Sequence, residues 1–407
     1  MRTCTLILVL LATTTAWAGD ADIDAAKAFV QTLQLAPTLQ SGDVTVVPLT
    51  REGAPVAPKV VPLWKSKKTS FAEPEFPRRR YDVMVSNGGD TALYLSGGTV
   101  LVGGKIDRLV RHDHLIAPGA SCEIRTLPAA SSADTRKPPT PFEVSPVLAP
   151  LYLRAQAEFG GSNSLVPNFV AKWIEFRNEG DKRKSLDAIV ASTTLREYVV
   201  APEQKLETLP KALTTPNTVG GVSAIHGRIQ SLAVYGTNEL LAEGFPAAVK
   251  GATYAAAAIA IRSQIAKIPL PGRGEPDKRK ELVRQDAQKL LDMLQKATYR
   301  KDKAEEGEVG ASIQIRLMDG TRGRVTVLDG AVVHLILYPK DPFRQQLYGR
   351  AIDVPDEKAD PEAEPVESGD GSTGGDYGSD LSDDERRFIG HGRRGGRGGR
   401  GGGGRRR

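Results

Sequence analysis

The spacing of hydrophobic and polar positions changes several times along the chain, and each change predicts an element. From Asp24 to Leu35, Ala25, Ala28, Phe29, Thr32 and Leu33 recur at helical spacing, which predicts a short amphipathic helix. After Gly42, the run Val44–Leu49 predicts a strand. Residues 51–80 are rich in proline and charge, end in Arg78-Arg79-Arg80, and read as a long surface loop. Tyr81–Ser86 and Ala92–Leu95 predict two strands. The Asn87-Gly88-Gly89-Asp90 stretch between them is a tight-hairpin signal, because Asn-Gly tolerates the positive φ such turns need. Thr99–Val102 predicts a third strand ending at Gly103-Gly104. Arg108–Ile116 predicts a fourth, stopped by Ala117-Pro118-Gly119.

Residues 128–150 lack periodicity and read as a loop. Helices are predicted over Leu151–Phe159, Phe169–Arg177, Ser185–Val199 and Pro202–Leu213. Val222–Ile225 and Arg228–Tyr235 then form a hairpin across His226-Gly227. Thr237 or Asn238 caps a helical run that continues through Ala255–Ile265. A charged helix over Asp277–Glu305 carries the apolar stripe Leu282, Val283, Leu290, Leu291 and Leu294. Asp319-Gly320 and Asp329-Gly330 punctuate a β-meander of Ala311–Leu317, Arg324–Leu328 and Val332–Tyr338. Strand-rich blocks separated by helices define an α+β class, with one α+β body over 44–340 behind a helical segment at 19–43.

Composition adds a compartment and two tails. Arg2, the apolar run Leu6–Ala12 and the small-x-small Ala16-Trp17-Ala18 give residues 1–18 the form of a secretory signal peptide, so the mature chain is expected to be secreted or periplasmic. Loss of Cys4 with that signal leaves Cys122 alone. That excludes an intrachain disulfide and a cysteine metal site, and makes Cys122 a packing residue. The formal net charge is +6, but it is divided unevenly. Residues 353–385 hold thirteen acids and one Lys, and residues 386–407 hold nine Arg and no acid. Neither segment has the apolar surface to order itself. Arg393, Arg394, Arg397, Arg400, Arg405, Arg406 and Arg407 sit in a glycine-rich cationic tail. Guanidinium planes on a flexible backbone suit anionic polymers, either cell-envelope polysaccharide or extracellular nucleic acid.

Candidate chemistry concentrates in the stretch from Tyr81 to Gly119. Gly97-Gly98 and Gly103-Gly104 flank one strand, and Lys105, Asp107, Arg108, His112, Asp113 and His114 follow closely. Glycines let backbone N–H groups approach an anion, and Lys105 and Arg108 supply cations. The alternative is a glycine-marked bulge with solvated charges. Neither a phosphate loop of the GxxxxGK[ST] type nor a dinucleotide fingerprint is present. His112 and His114 share one strand face and Asp113 faces the other way, which leaves half a coordination shell, with His226 and His334 the other folded-region histidines; no metal is assigned. No cofactor signature appears, and no GxSxG or HExxH motif. His226 lies at a hairpin turn.

Three stretches carry a family resemblance. They are the early strand Val44–Leu49, the run VSNGGDTALYLSGGTVLVGGKIDRLVRHDHLIAPGAS, and the run VSAIHGRIQSLAVYGTNELLAEGFPAAVKGATYAA, with a closing VVHLIL strand. Together they resemble the ARG and Rhodanese-Phosphatase-superfamily-associated protein domain over roughly residues 40–340. Lys105 and Arg108 match the family's GGKQxR-like run, whereas Ile106 stands where Gln is usual. Of the family's Cys-Val-Glu segment only Cys122-Glu123 remains. The resemblance implies an architecture and a ligand surface, not a reaction. The reading is an exported, non-enzymatic binding protein of unknown ligand. Its candidate ligand residues are Gly103, Gly104, Lys105, Asp107, Arg108, His114 and His226. A hydrolase or transferase on a phosphorylated or sugar-nucleotide-like substrate, built on Lys105, Asp107, Arg108 and His114, and a structural envelope protein stay open beside it.

Overall fold

The computed structural model describes residues 20–340 apart from 42–43, 54–56, 131–138, 147, 160–162, 165, 168–169, 171–184, 187–216, 250 and 252–275. The signal segment, the helices expected between Phe169 and Leu213 and over Ala255–Ile265, and both charged tails lie almost wholly outside the described residues. The fold is α+β, as the pattern predicts.

Its centre, among the described residues, is a nine-stranded antiparallel sheet. The strand order is β1 (Leu33–Leu35), β3 (Val44–Arg51), β14 (Thr218–Ile225), β15 (Arg228–Tyr235), β19 (Ala331–Tyr338), β18 (Arg322–Leu328), β17 (Ala311–Arg316) and β16 (Thr298–Lys301). The ninth strand, β2 (Leu39–Ser41), shares the β1 side of β3. β1 and β2 are separate because the chain breaks opposite Val47 and Pro48, and Pro48 has no N–H to give the ladder.

Both faces of this sheet are covered, so its strands read as continuous apolar runs rather than strict alternation. One face carries helices α1 (Asp20–Gln31) and α4 (Pro276–Gln295). Ala26, Phe29 and Val30 of α1 and Val283, Ala287, Leu290, Leu291 and Leu294 of α4 pack on Val47, Leu49, Leu335 and Leu337. Each such large side chain contributes about 1.5–3 kcal/mol by leaving water.

Two helix limits differ from the pattern. α1 begins at Asp20 and stops at Gln31, because the Thr32 hydroxyl and N–H both turn back onto the Phe29 carbonyl. α4 stops at Gln295 rather than reaching Glu305, and β16 then pairs with β17. Leu282, placed in the buried stripe from sequence, is 38% exposed. The buried spacing in fact starts one residue later, at Val283.

The other face carries three small sheets: β4 (Val60–Pro62) with β7 (Ala92–Leu95) and β10 (His114–Ile116), β5 (Thr69–Ala72) with β6 (Val83–Asn87) and β11 (Ser121–Ile124), and β8 (Val100–Gly104) with β9 (Arg108–Val110), β12 (Thr126–Pro128) and β13 (Thr140–Val144). Val83, Val85, Leu93, Leu95, Leu101, Val110, Ile116, Cys122 and Ile124 fill the space among them. Cys122 is buried, as its packing role predicts, and burial pushes its thiol up to about 12. Helix α2 (Leu151–Phe159) and helix α3, over 238–249, complete this layer. Leu240, Leu241, Phe245 and Val249 of α3 pack with Tyr94 and Leu115 against Val46, Tyr235 and Val333.

The expected hairpin between β6 and β7 does not form. β6 pairs with β5 and β11, whereas β7 pairs with β4 and β10. Asn87 is the reason. Its amide donates to the carbonyls of Thr91, Ile116 and Ala117, and its Oδ1 accepts from the Gly89 N–H at 3.0 Å. The side chain therefore organises a crossover between two sheets, and Gly88 and Gly89 keep ordinary negative-φ backbone. The strand expected over Arg108–Ile116 is also divided, into β9 and β10, around Asp113. Strands β4, β5 and β13 arise in stretches read as loop.

Candidate functional site

The end of β8 brings the sequence-predicted turn together. Gly103 and Gly104 adopt φ of 126° and 63°, values that favour glycine, so the backbone reverses sharply before Lys105. Asp107 Oδ1 accepts from the Gly103 N–H at 2.9 Å and holds the turn closed. The Lys105 N–H points at a carboxylate, but one from this chain: Glu73 Oε1 accepts it at 2.7 Å. Arg108 Nη2 donates to the same oxygen at 3.1 Å, and Lys105 Nζ stands 3.7 Å from Glu73 Oε2. Arg108 itself is 4% exposed, lies 5.5 Å over the Tyr81 ring, and donates to the Ile106 carbonyl. Its burial lowers its pKa, and the Glu73 carboxylate works against that. The glycine turn is thus an anion cradle occupied by Glu73.

His114 and His226 stand in other settings. His226 and Gly227, with φ of 50° and 75°, make the two-residue turn between β14 and β15. His114 is buried in β10, where its Nδ1 meets Glu308 Oε1 at 2.5 Å. The His112 ring stacks on it at 4.4 Å. His112 keeps a partly exposed edge, yet burial and the neighbouring His114 push its pKa well below the usual imidazole range.

A second cluster lies between the two layers, and sequence reasoning did not assemble it. Even-numbered positions of β19 place His334, Ile336 and Tyr338 on the face away from α1 and α4. Across the ladder stand Tyr235 of β15 and Thr326 and Arg324 of β18. Helix α2 presents Arg154 and Glu158, one turn apart and so on one face. The break between β9 and β10 presents Asp113. Asp113 Oδ1 accepts from the Gly97 N–H at 2.8 Å, and Oδ2 meets His334 Nδ1 at 2.5 Å and the Thr326 hydroxyl at 3.4 Å. Burial alone raises its pKa, but the His334 charge and hydrogen bond with the Gly97 donor outweigh it and bring the carboxyl down to about 2. Arg324 Nε donates to Glu158 Oε1 at 2.6 Å, and its Nη1 to Asp302 and Ser312. Arg111 Nε donates to the Ala157 carbonyl at 2.7 Å, which ties the Asp113 break to the end of α2.

Arg154 closes the cluster. It is 2% exposed, and its Nε and Nη1 have no hydrogen-bond partner among the described residues. Burial works against its charge, but the Tyr338, Tyr235 and Tyr94 hydroxyls and the Asp113 carboxylate around it outweigh burial and raise its pKa. His334 Nε2 and His114 Nε2 are likewise buried without partners. Gly97-Gly98 has its explanation here: a Cβ on Gly98 would strike the Arg154 side chain, and one on Gly97 would strike the His112 backbone. The sequence signal was present but diffuse. Arg154 and His334 each interrupt an apolar helix or strand, and a polar residue at a core position implies a buried partner.

A match to the family described as the ARG and Rhodanese-Phosphatase-superfamily-associated Protein domain spans residues 32–338. The chain belongs to this family. The matched span contains both the glycine turn and the Asp113–His334–Arg154 cluster of the domain. The chain matches no curated protein and no solved structure. Among the described residues no group of three or more His, Cys, Asp or Glu is arranged to hold a metal ion, and no helix is long and apolar enough to cross a membrane.

Proposed function

We propose that the chain is an exported binding protein. Its body recognises a small oxyanion at the Gly103–Arg108 turn, and its cationic tail contacts anionic polymers. One observation carries the first part: the turn already holds the Glu73 carboxylate through a backbone N–H, a guanidinium and an ammonium group. Charge-assisted donors converging on one oxygen are the means by which proteins recognise carboxylates and phosphates. Glu73 lies just after β5, in a surface connection with an exposed Phe76, so an external oxyanion exchanging with it need not disturb the core. Export is supported by the Arg2, Leu6–Ala12 and Ala16-Trp17-Ala18 pattern.

Calorimetric titration of Glu73→Ala with acetate and with phosphate tests this reading. Saturable binding is expected in the variant, weaker binding in the unaltered chain, and loss when Arg108→Lys is added. No saturable binding by Glu73→Ala would make Glu73 a structural ion pair and sink the reading.

The Asp113–His334 pair favours a second reading, a hydrolase or transferase on a phosphorylated or sugar-nucleotide-like substrate. A carboxylate that fixes one imidazole nitrogen leaves the other as an oriented base. Turnover of nucleotide sugars that is lost in His334→Gln would support it, and absence of turnover in the unaltered chain would remove it.

A further inference from the structure

We infer that the glycine turn recognises peptide: the oxyanion it takes is the carboxylate of a glutamate followed by proline, presented by an acidic segment of another polypeptide. This rests on the reading of the turn as a ligand cradle and names the class of ligand. The resident group shows the form that fits. Glu73 arrives on the extended end of β5 and is followed directly by Pro74. Proline holds the residue before it in extended backbone, so a Glu-Pro step offers its carboxylate with little conformational freedom left to lose.

The surroundings of that carboxylate are aromatic as well as cationic. The Tyr81 ring lies 5.5 Å from the Arg108 guanidinium. The Phe142 ring borders Gly104 so closely that a Cβ there would strike both Phe142 and Glu73 Oε1. Cations flanked by rings suit an acidic residue beside a proline, since aromatic walls are a surface on which proline docks. Lys105, with its side chain 70% exposed, opens the cradle toward solvent.

Exchange of the occupant need not loosen the loop that carries Glu73. That loop has a second anchor at Arg78, whose N–H donates to Glu123 Oε1 at 2.5 Å and whose Nη1 donates to Glu305 Oε2 at 2.8 Å.

The sequence repeats the resident motif once. Ala72-Glu73-Pro74 recurs as Ala363-Glu364-Pro365 and nowhere else. The repeat lies inside the acid-rich stretch 353–385, whose charge complements Lys105 and Arg108. An acidic stretch with a Glu-Pro step is therefore a ligand of the required chemistry, and residues 360–368 supply a probe.

Calorimetric titration of the full chain with a synthetic peptide of residues 360–368 tests the inference. The protein carries Glu73→Ala to free the cradle and Glu364→Gln so that its own segment does not compete. Saturable binding is expected, on the order of tenfold tighter than acetate, because the proline adds contacts with the rings. Glu364→Gln in the peptide is expected to weaken binding on the order of tenfold, the cost of a lost charge-assisted hydrogen bond. Pro365→Ala in the peptide is expected to weaken it several-fold. Asp360, Glu362 and Glu367 stay in every peptide, so attraction to the arginine-rich tail is nearly constant across them. Glu73→Gln serves if Glu73→Ala does not fold. Acetate binding without tighter peptide binding overturns the inference and leaves the cradle reading standing. Binding of neither ligand removes both. Peptide binding that ignores Glu364→Gln in the peptide, or survives Arg108→Lys in the protein, is attraction to another surface and also overturns the inference.

Discussion

At the scale of single residues, position in the chain conveys chemistry poorly and burial conveys it well. Asp82 looks like one more charge beside Arg78-Arg79-Arg80, yet it is 3% exposed, and burial pushes its pKa up to about 6. A folded-state value above the unfolded one means the native state holds its proton more tightly. Its contribution is therefore favourable at low pH and is lost as pH rises from about 4 through about 6. Asp82→Asn should stabilise the chain at pH 7.5, on the order of 2–3 kcal/mol for a shift of this size. The gain should shrink toward zero at pH 4. Urea midpoints at the two pH values check this, and a pH-independent difference would refute the burial argument. The glycine turn was legible because Gly103, Gly104, Lys105, Asp107 and Arg108 are neighbours in sequence. Glu73 was not, because nothing local says that a residue from a proline-rich loop returns to the turn. Arg154, Asp113 and His334 come from three distant segments, so only the tertiary fold joins them.

At the scale of elements, the pairings across the Asp-Gly and His-Gly turns were read correctly, and the one expected across Asn87-Gly88 was not. The meander of β17, β18 and β19 follows its two Asp-Gly turns, and the β14–β15 hairpin follows His226-Gly227. Asn87-Gly88 carries an equally strong hairpin signal, but the buried Asn87 amide bonds to carbonyls as far away as Ile116 and Ala117 and sends the chain into another sheet. A local propensity lost to two tertiary hydrogen bonds. The phase of α4 gives a sharper comparison. Leu282 and Leu291 look equivalent in the sequence, yet Leu282 is 38% exposed and Leu291 is 2% exposed in the core shared with α1 and the main sheet. Leu291→Ala should cost about 2–5 kcal/mol, the usual range for a core leucine truncation. Leu282→Ala should stay within about 0.5 kcal/mol, as exposed substitutions do. Denaturant unfolding of the two variants checks the register directly, and similar losses would mean that the helix is rotated.

At the scale of the whole molecule, charge divides the labour. Inside residues 32–338 most of the described buried charges stand in opposed pairs, as Arg324 does with Glu158 and Asp302. Residues 32–338 nonetheless carry 40 Lys and Arg against 32 Asp and Glu. The sharpest separation of charge lies at the end of the chain, where nine Arg in residues 386–407 follow thirteen acids in residues 353–385. Two consequences compete. The acidic segment can neutralise the basic one within the chain, or the basic one can reach an external polyanion. Salt separates them, because binding to a polymer releases its condensed counterions, one for each phosphate neutralised. If the tail engages DNA fully, the logarithm of affinity should fall with the logarithm of salt at a slope approaching about −8 for nine contacts. Self-pairing would lower both affinity and slope, and deleting residues 353–385 should then raise both. Deleting 386–407 should abolish retention on heparin and on DNA while leaving the unfolding midpoint of the body unchanged. Retention that persists in that deletion would place the polyanion surface on the body and remove the tail from the proposed function.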